Sequence, residues 1–199
     1  MVWFGADPGG LNKFGLAALH ASGRFETQRC SSVDDALSWI KQPEAVGIDC
    51  PLWWSSAAGG GRLVDTWLRN TYRIPSGTVQ SVNSLRGAAV VQGVLLAMRL
   101  REDTPGLPIT ETHPKALLRA LKMGGQSWKV IADRFCIDGP DPGNEHERDA
   151  LLSAVAAREG SRQNWRDLSI DRGASELDPK RIWFGPVSYW WPNPPHEDD

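Results

Sequence analysis

Two stretches decide the fold: Val2-Trp3-Phe4-Gly5-Ala6-Asp7-Pro8-Gly9-Gly10 and Ala45-Val46-Gly47-Ile48-Asp49-Cys50-Pro51. Each is a short apolar run that ends on an aspartate, with a proline beyond it that stops strand pairing. Between them, residues 13–20 and 25–30 read as two further strands joined by tight glycine turns, which predicts an antiparallel meander with the first strand. Ser32 then caps a helix whose first turn carries Asp34 and Asp35, as the helix dipole prefers, and Pro43 ends it. A strand, a helix and a second strand imply a parallel, right-handed crossover.

Parallel neighbours in a sheet lie about 4.8 Å apart. Asp7 and Asp49 are therefore expected to converge beyond the carboxyl ends of their strands, where open α/β sheets bind ligands. Leu107-Pro108-Ile109-Thr110-Glu111 reads as a third strand ending on an acid. Asn144 caps a last helix over 145–159, which carries His146 and Asp149 one turn apart on one face. Ser153 and Ala156 continue that face with small side chains, so the helix is able to lie close to the sheet. Four acids, Asp7, Asp49, Glu111 and Asp149, are thus brought together as candidate catalytic residues and metal ligands. Oxygen-only ligands suit Mg2+ or Mn2+, and two such ions bridged by carboxylates activate water for phosphoryl transfer.

Each residue also has a plain structural reading. Asp7 before Pro-Gly-Gly suits an Asx-turn, Asp49 a bare strand end, and Glu111 the capping of the helix that opens at Pro114. Glu147, three residues after Asn144, reads as a capping-box acid rather than a ligand. His146 fits a surface position as well as a site.

The rest of the chain reads as 55–61, a Gly/Ser/Ala loop; 62–73, a basic helix; 85–102, a mostly apolar helix expected to be buried; and 127–135, a helix. The last forty residues read as irregular apart from a strand-like piece at Arg181-Ile182-Trp183-Phe184. No repeat or linker divides the chain. One domain over 1–199 is expected, with a helical insertion at about 55–103 and a C-terminal extension at about 160–199.

Composition limits the function classes. The chain has 199 residues, 41% hydrophobic and 23% charged, with a net charge of −2, so bulk affinity for nucleic acid is not indicated. Six arginines against one acid between Arg62 and Arg101 leave room for a local basic face. Three scattered cysteines argue against a disulfide framework or a cysteine zinc site. Neither a signal-like start nor an apolar run of roughly 18 residues is present, so a cytoplasmic protein without a membrane partner is expected. Ten tryptophans, three of them at Trp183, Trp190 and Trp191, serve packing or base stacking.

Five motifs in order give the chain a family resemblance. They are Gly5-Ala6-Asp7-Pro8-Gly9-Gly10, Ile48-Asp49-Cys50-Pro51-Leu52, Gly61-Arg62-Leu63-Val64-Asp65 with Arg69, Thr110-Glu111-Thr112-His113-Pro114, and His146-Glu147-Arg148-Asp149-Ala150-Leu151. With these the chain resembles the predicted-nuclease family catalogued as domain of unknown function 429, of the RNase H-like superfamily. The last motif is also similar to the closing helix of bacterial Holliday-junction resolvases. The resemblance implies an α/β fold with an RNase H-like mixed sheet, three antiparallel strands plus two parallel strands, flanked by helices. It implies a metal-dependent nuclease with Asp7, Asp49, Glu111 and Asp149 at the matching acidic positions and nucleic acid as partner. Asp65, His113 and His146 take supporting places in the same motifs. Arg62 and Arg69, which share a helix face with Asp65, become candidates for holding a substrate phosphate; a solvated, salt-bridged face is the alternative.

Three other readings compete. A non-catalytic binding or assembly module accounts for the near-neutral charge and the C-terminal tryptophans. A metal-dependent hydrolase of phosphorylated small molecules would use the same acids. A phosphotransferase of the actin-like kind has a similar acidic-glycine turn but needs two such lobes.

Overall fold

The computed structural model describes residues 1–55, 61–80, 85, 87–171, 181–183 and 187–193. Most of the Gly/Ser/Ala loop predicted at 55–61, and Phe184 of the predicted C-terminal strand, lie outside the described residues.

The chain opens with the meander β1 (Val2–Asp7), β2 (Phe14–His20) and β3 (Phe25–Cys30), then α1 (Val33–Trp39) and β4 (Ala45–Ile48). As predicted, Ser32 caps α1, its Oγ accepting from Asp35 N at 3.1 Å. After β5 (Trp53–Ser55) come α2 (Leu63–Tyr72) and α3 (Gly87–Asp103), then β6 (Ile109–Glu111), α4 (Pro114–Ala120), α5 (Trp128–Phe135) and α6 (Glu145–Ser161). The C-terminal part contains β7 (Arg166–Asp167), α7 (Leu168–Asp171), β8 (Arg181–Trp183) and β9 (Trp190–Trp191).

The central sheet has the order β3-β2-β1-β4-β6. β1 pairs antiparallel with β2 and parallel with β4, and β4 pairs parallel with β6. This is the RNase H-like mixed sheet, three antiparallel strands continued by two parallel ones. Phe4, Ala6, Val46 and Ile48 face one side, where they meet Ala36, Leu96 and Leu100 from α1 and α3. The other side packs on α5 and α6 through Ala17, Leu19, Ile131, Leu151 and Val155.

Gly5 and Gly47 sit opposite each other on β1 and β4 and form the seat of α6. A Cβ on Gly5 would lie 1.8 Å from the Ala150 carbonyl oxygen, and one on Gly47 2.1 Å from that of Ser153. Helix backbone therefore rests on strand backbone, the close approach that small residues on this helix face predicted. A buried pair pins the seat. Thr112 Oγ1 lies 2.7 Å from Ser153 Oγ, which donates to the Asp149 carbonyl at 2.9 Å, so Thr112 is the donor. Thr112→Val should lower stability by about 1 kcal/mol, or roughly 2–4 °C in a thermal melt; an unchanged melting temperature would mean that the pair is not holding the helix.

Two expectations need correction. The mostly apolar helix read over 85–102 is expected to be buried, yet in α3 only Gly93, Leu96, Ala97 and Leu100 are buried, while Val91, Leu95 and Met98 are exposed. The helix lies over one side of the sheet and shows its other face to solvent. The described parts of the C-terminal extension are more ordered than predicted. β5 pairs with β8 and β7 with β9, and Ser188 bridges to Thr110 beside β6. Such pairings link segments distant in sequence and leave no local pattern to read.

Candidate metal and catalytic site

Asp7 ends β1, and Asp49 follows β4 with its N–H donating to the Ala6 carbonyl at 2.8 Å. The register Ala6↔Ile48 places the two acids side by side at the carboxyl edge of the sheet. The close seat of α6 brings Asp149 and His146 to the same edge, where His146 Nδ1 lies 2.6 Å from Asp7 Oδ2. A pocket of about 650 Å3 opens there, lined by Asp7, Asp49, His113, Lys115 and Arg119 among others.

These acids strain one another electrostatically. Burial first, and then the charge of Asp149, push the Asp7 carboxyl up to about 8. Burial and the neighbouring Asp7 push Asp49 well above the usual carboxylate range. Burial also raises Asp149, against the pull of Lys115, whose Nζ lies 3.6 Å from Asp149 Oδ2 and 3.4 Å from Glu145 Oε2. Lys115 was missed in the sequence. Its signal was its place directly after Pro114, on the first turn of the helix that follows the Glu111 strand.

Glu111 belongs to a different cluster. Its carboxylate accepts from Arg62 Nη1 and Nη2 at 2.7 and 2.5 Å and from Leu52 N at 2.9 Å, and His113 Nε2 stands 3.0 Å from Oε1. Arg62 is 2% exposed. It also donates to both Asp65 oxygens, at 2.8 and 2.6 Å, and to the Trp53 carbonyl at 2.9 Å, and stacks over the Trp53 ring at 4.6 Å. Burial alone would raise Glu111, but Arg62 and His113 hold it down to about 2.

Arg62 is therefore not a surface group awaiting a phosphate, which corrects that expectation: its guanidinium is saturated by protein partners. Arg69 is half-buried and donates to the Val79 carbonyl at 3.1 Å and to Thr66 Oγ1 at 3.1 Å; it does not line the acidic pocket. Asp65 is buried against Arg62 rather than on a solvated face. Asn144 caps α6, its Oδ1 accepting from Glu147 N at 3.1 Å, while the Glu147 carboxylate accepts from Gly143 N at 3.3 Å and from Thr27 Oγ1 at 2.8 Å.

Among the described residues, the one trio of possible metal donors all within 4.8 Å of one another is Asp65, Glu111 and His113. A carboxylate cluster of the kind that binds divalent cations is thus present, but here Arg62 already supplies the cation. The open acids Asp7, Asp49 and Asp149 stand farther apart. Asp7 and Asp49 line the pocket with Asp149 close by, and among the described residues no buried arginine occupies their oxygens; the cationic groups near them include His113, 4.0 Å from Asp49, and the exposed Lys115, 3.6 Å from Asp149.

The five-stranded mixed sheet thus gathers Asp7 and Asp49 at its carboxyl edge, with Asp149 of α6 beside them. The chain belongs to the family described as "Protein of unknown function (DUF429)", whose model matches residues 5–174. The solved structure of RuvC from Thermus thermophilus is similar to this chain, with a TM-score of 0.48 and 18% identity over 82% of this chain and 97% of that one. No curated protein matches. Among the described residues no helix is long and apolar enough to cross a membrane.

Proposed function

We propose that this protein is a divalent-metal-dependent phosphodiester hydrolase acting on nucleic acid in the cytoplasm. The observation that carries the reading is the gathering of Asp7, Asp49 and Asp149 at the carboxyl edge of the sheet, beside a pocket lined by Asp7 and Asp49, where burial and neighbouring acids push Asp7 up to about 8. That arrangement is unfavourable without a cation and favourable with one. Asp7, Asp49 and Asp149 would hold Mg2+ or Mn2+, with His146 orienting Asp7. The ion would supply Lewis acidity and a more acidic water. Lys115 and Arg119, on the pocket wall, are placed to bind the phosphate being cleaved. Glu111, whose oxygens are already occupied by Arg62, Leu52 and His113, supports the site from below.

With Mn2+, the pure protein should cut at least one substrate in a panel of single-stranded, branched and hybrid DNA and RNA, and Asp49→Asn should lose that activity while remaining folded. A panel left uncut by the wild type would sink the nuclease reading.

The pocket volume of about 650 Å3 and the net charge of −2 favour a second reading, a small phosphorylated substrate. Mononucleotides and a simple aryl phosphodiester belong in the same panel. Cleavage of these alone would select it.

A further inference from the structure

His113 is buried between the two clusters and belongs fully to neither. Its Nε2 is 3.0 Å from Glu111 Oε1, and its Nδ1 is 4.0 Å from Asp49 Oδ1, an ion-pair distance rather than a hydrogen bond. Tyr189 packs against the ring at 5.8 Å with the planes inclined by 62°, so the imidazole has little freedom to turn. Glu111, ionised and held by Arg62 and the Leu52 amide, presents a fixed acceptor to Nε2–H. A ring gripped at one nitrogen and wedged on its face must offer the other nitrogen in one direction, and that direction is Asp49.

From this geometry we propose that His113 is the positioning residue for Asp49: the Arg62–Glu111 pair fixes the imidazole, and the imidazole fixes the carboxylate. The inference rests on the reading of Asp49 as a metal-holding acid. It gives the buried cluster a purpose that its own chemistry does not supply, since Arg62 closes it to any ion. Glu111 then acts on the site through His113 and not as a ligand. Groups that orient ligating side chains commonly alter metal affinity about 10–100-fold when removed.

Two variants separate the nitrogens. In His113→Gln the amide reaches the place of Nε2, so Glu111 keeps its donor while nothing faces Asp49. In His113→Asn the amide takes the place of Nδ1, facing Asp49, and the Glu111 contact is lost. Mn2+ titration followed by calorimetry should give about 10-fold or greater weakening for His113→Gln with a melting temperature near wild type, and a smaller weakening for His113→Asn. Wild-type affinity in a folded His113→Gln would overturn the proposal.

A second measurement needs neither metal nor activity. The ring 15N signals of His113 in metal-free protein should move on Asp49→Asn, and unmoved signals would equally overturn the inference. If the wild type binds no Mn2+, the metal reading itself fails, and the 15N signals alone decide whether His113 and Asp49 are coupled. They also decide if His113→Gln does not fold.

Discussion

Arg62→Met should cost about 3–5 kcal/mol, enough to leave much of the chain unfolded at 37 °C. The substitution keeps apolar bulk against Trp53 but leaves Asp65, 1% exposed, and Glu111, fully buried, without their cation. Two buried carboxylates facing each other must then take up a proton or unfold the surroundings. The pH dependence should change sign as well. In the wild type, Glu111 is held at about 2, below its unfolded value of 4.5, so its contribution is present above pH 4.5 and lost as pH falls toward 2. In Arg62→Met the buried Glu111 carboxyl would titrate above its unfolded value, so the variant should be most stable in mild acid and weaken as pH rises. Denaturant melts at pH 5 and pH 8 measure both effects. A variant within about 0.5 kcal/mol of wild type at pH 8 would show that the guanidinium does not hold this cluster.

Asp7→Asn should have opposite effects on stability and on activity. The Asp7 carboxyl is pushed from 3.8 up to about 8, so ionising it disfavours the folded state. Its contribution is full below pH 3.8 and is lost as pH rises through about 8. In chelator, the wild type should therefore weaken over that interval. Asp7→Asn should weaken less and melt higher than wild type at pH 8, by roughly 1–2 kcal/mol or about 3–6 °C. Millimolar Mn2+ should reverse the order, raising the wild type by mass action and leaving the variant little changed. Metal-dependent cleavage should fall on the order of 100-fold or more. Equal responses of the two proteins to Mn2+ would remove Asp7 from the ligand set.

The sheet was legible because its signals are local. Asp7 and Asp49 each follow an apolar run and precede a proline, and glycine turns separate the meander strands. Asn144 and Ser32 announce helices through their own side chains. The placement of Asp149 was legible to the extent that Ser153 and Ala156 mark a face able to approach strands, although the glycines that receive it were not singled out. Glu111 and Arg62 were harder. A charged residue at the start of a basic helix reads as surface, and what buries Arg62 comes from afar: Trp53 on one side and Tyr189, in a segment taken as irregular, on the other. Strand-end position alone cannot say whether an acid faces a pocket or an internal arginine.

The bridge from Ser188 to β6 covers a sheet edge that would otherwise be open to pairing. β6 is the outermost parallel strand, and an unpaired strand edge is a template for a neighbouring molecule. Ser188 N donates to Ile109 O at 2.9 Å and Glu111 N to Ser188 O at 3.0 Å, so the polypeptide caps its own sheet. The opposite edge, β3, is blunted differently, by exposed Glu26, Gln28 and Arg29. One border resists aggregation through charge, the other through a segment folded back from the far end of the chain. Anything that frees that segment would bare, together, an adhesive edge and the strand that ends in Glu111.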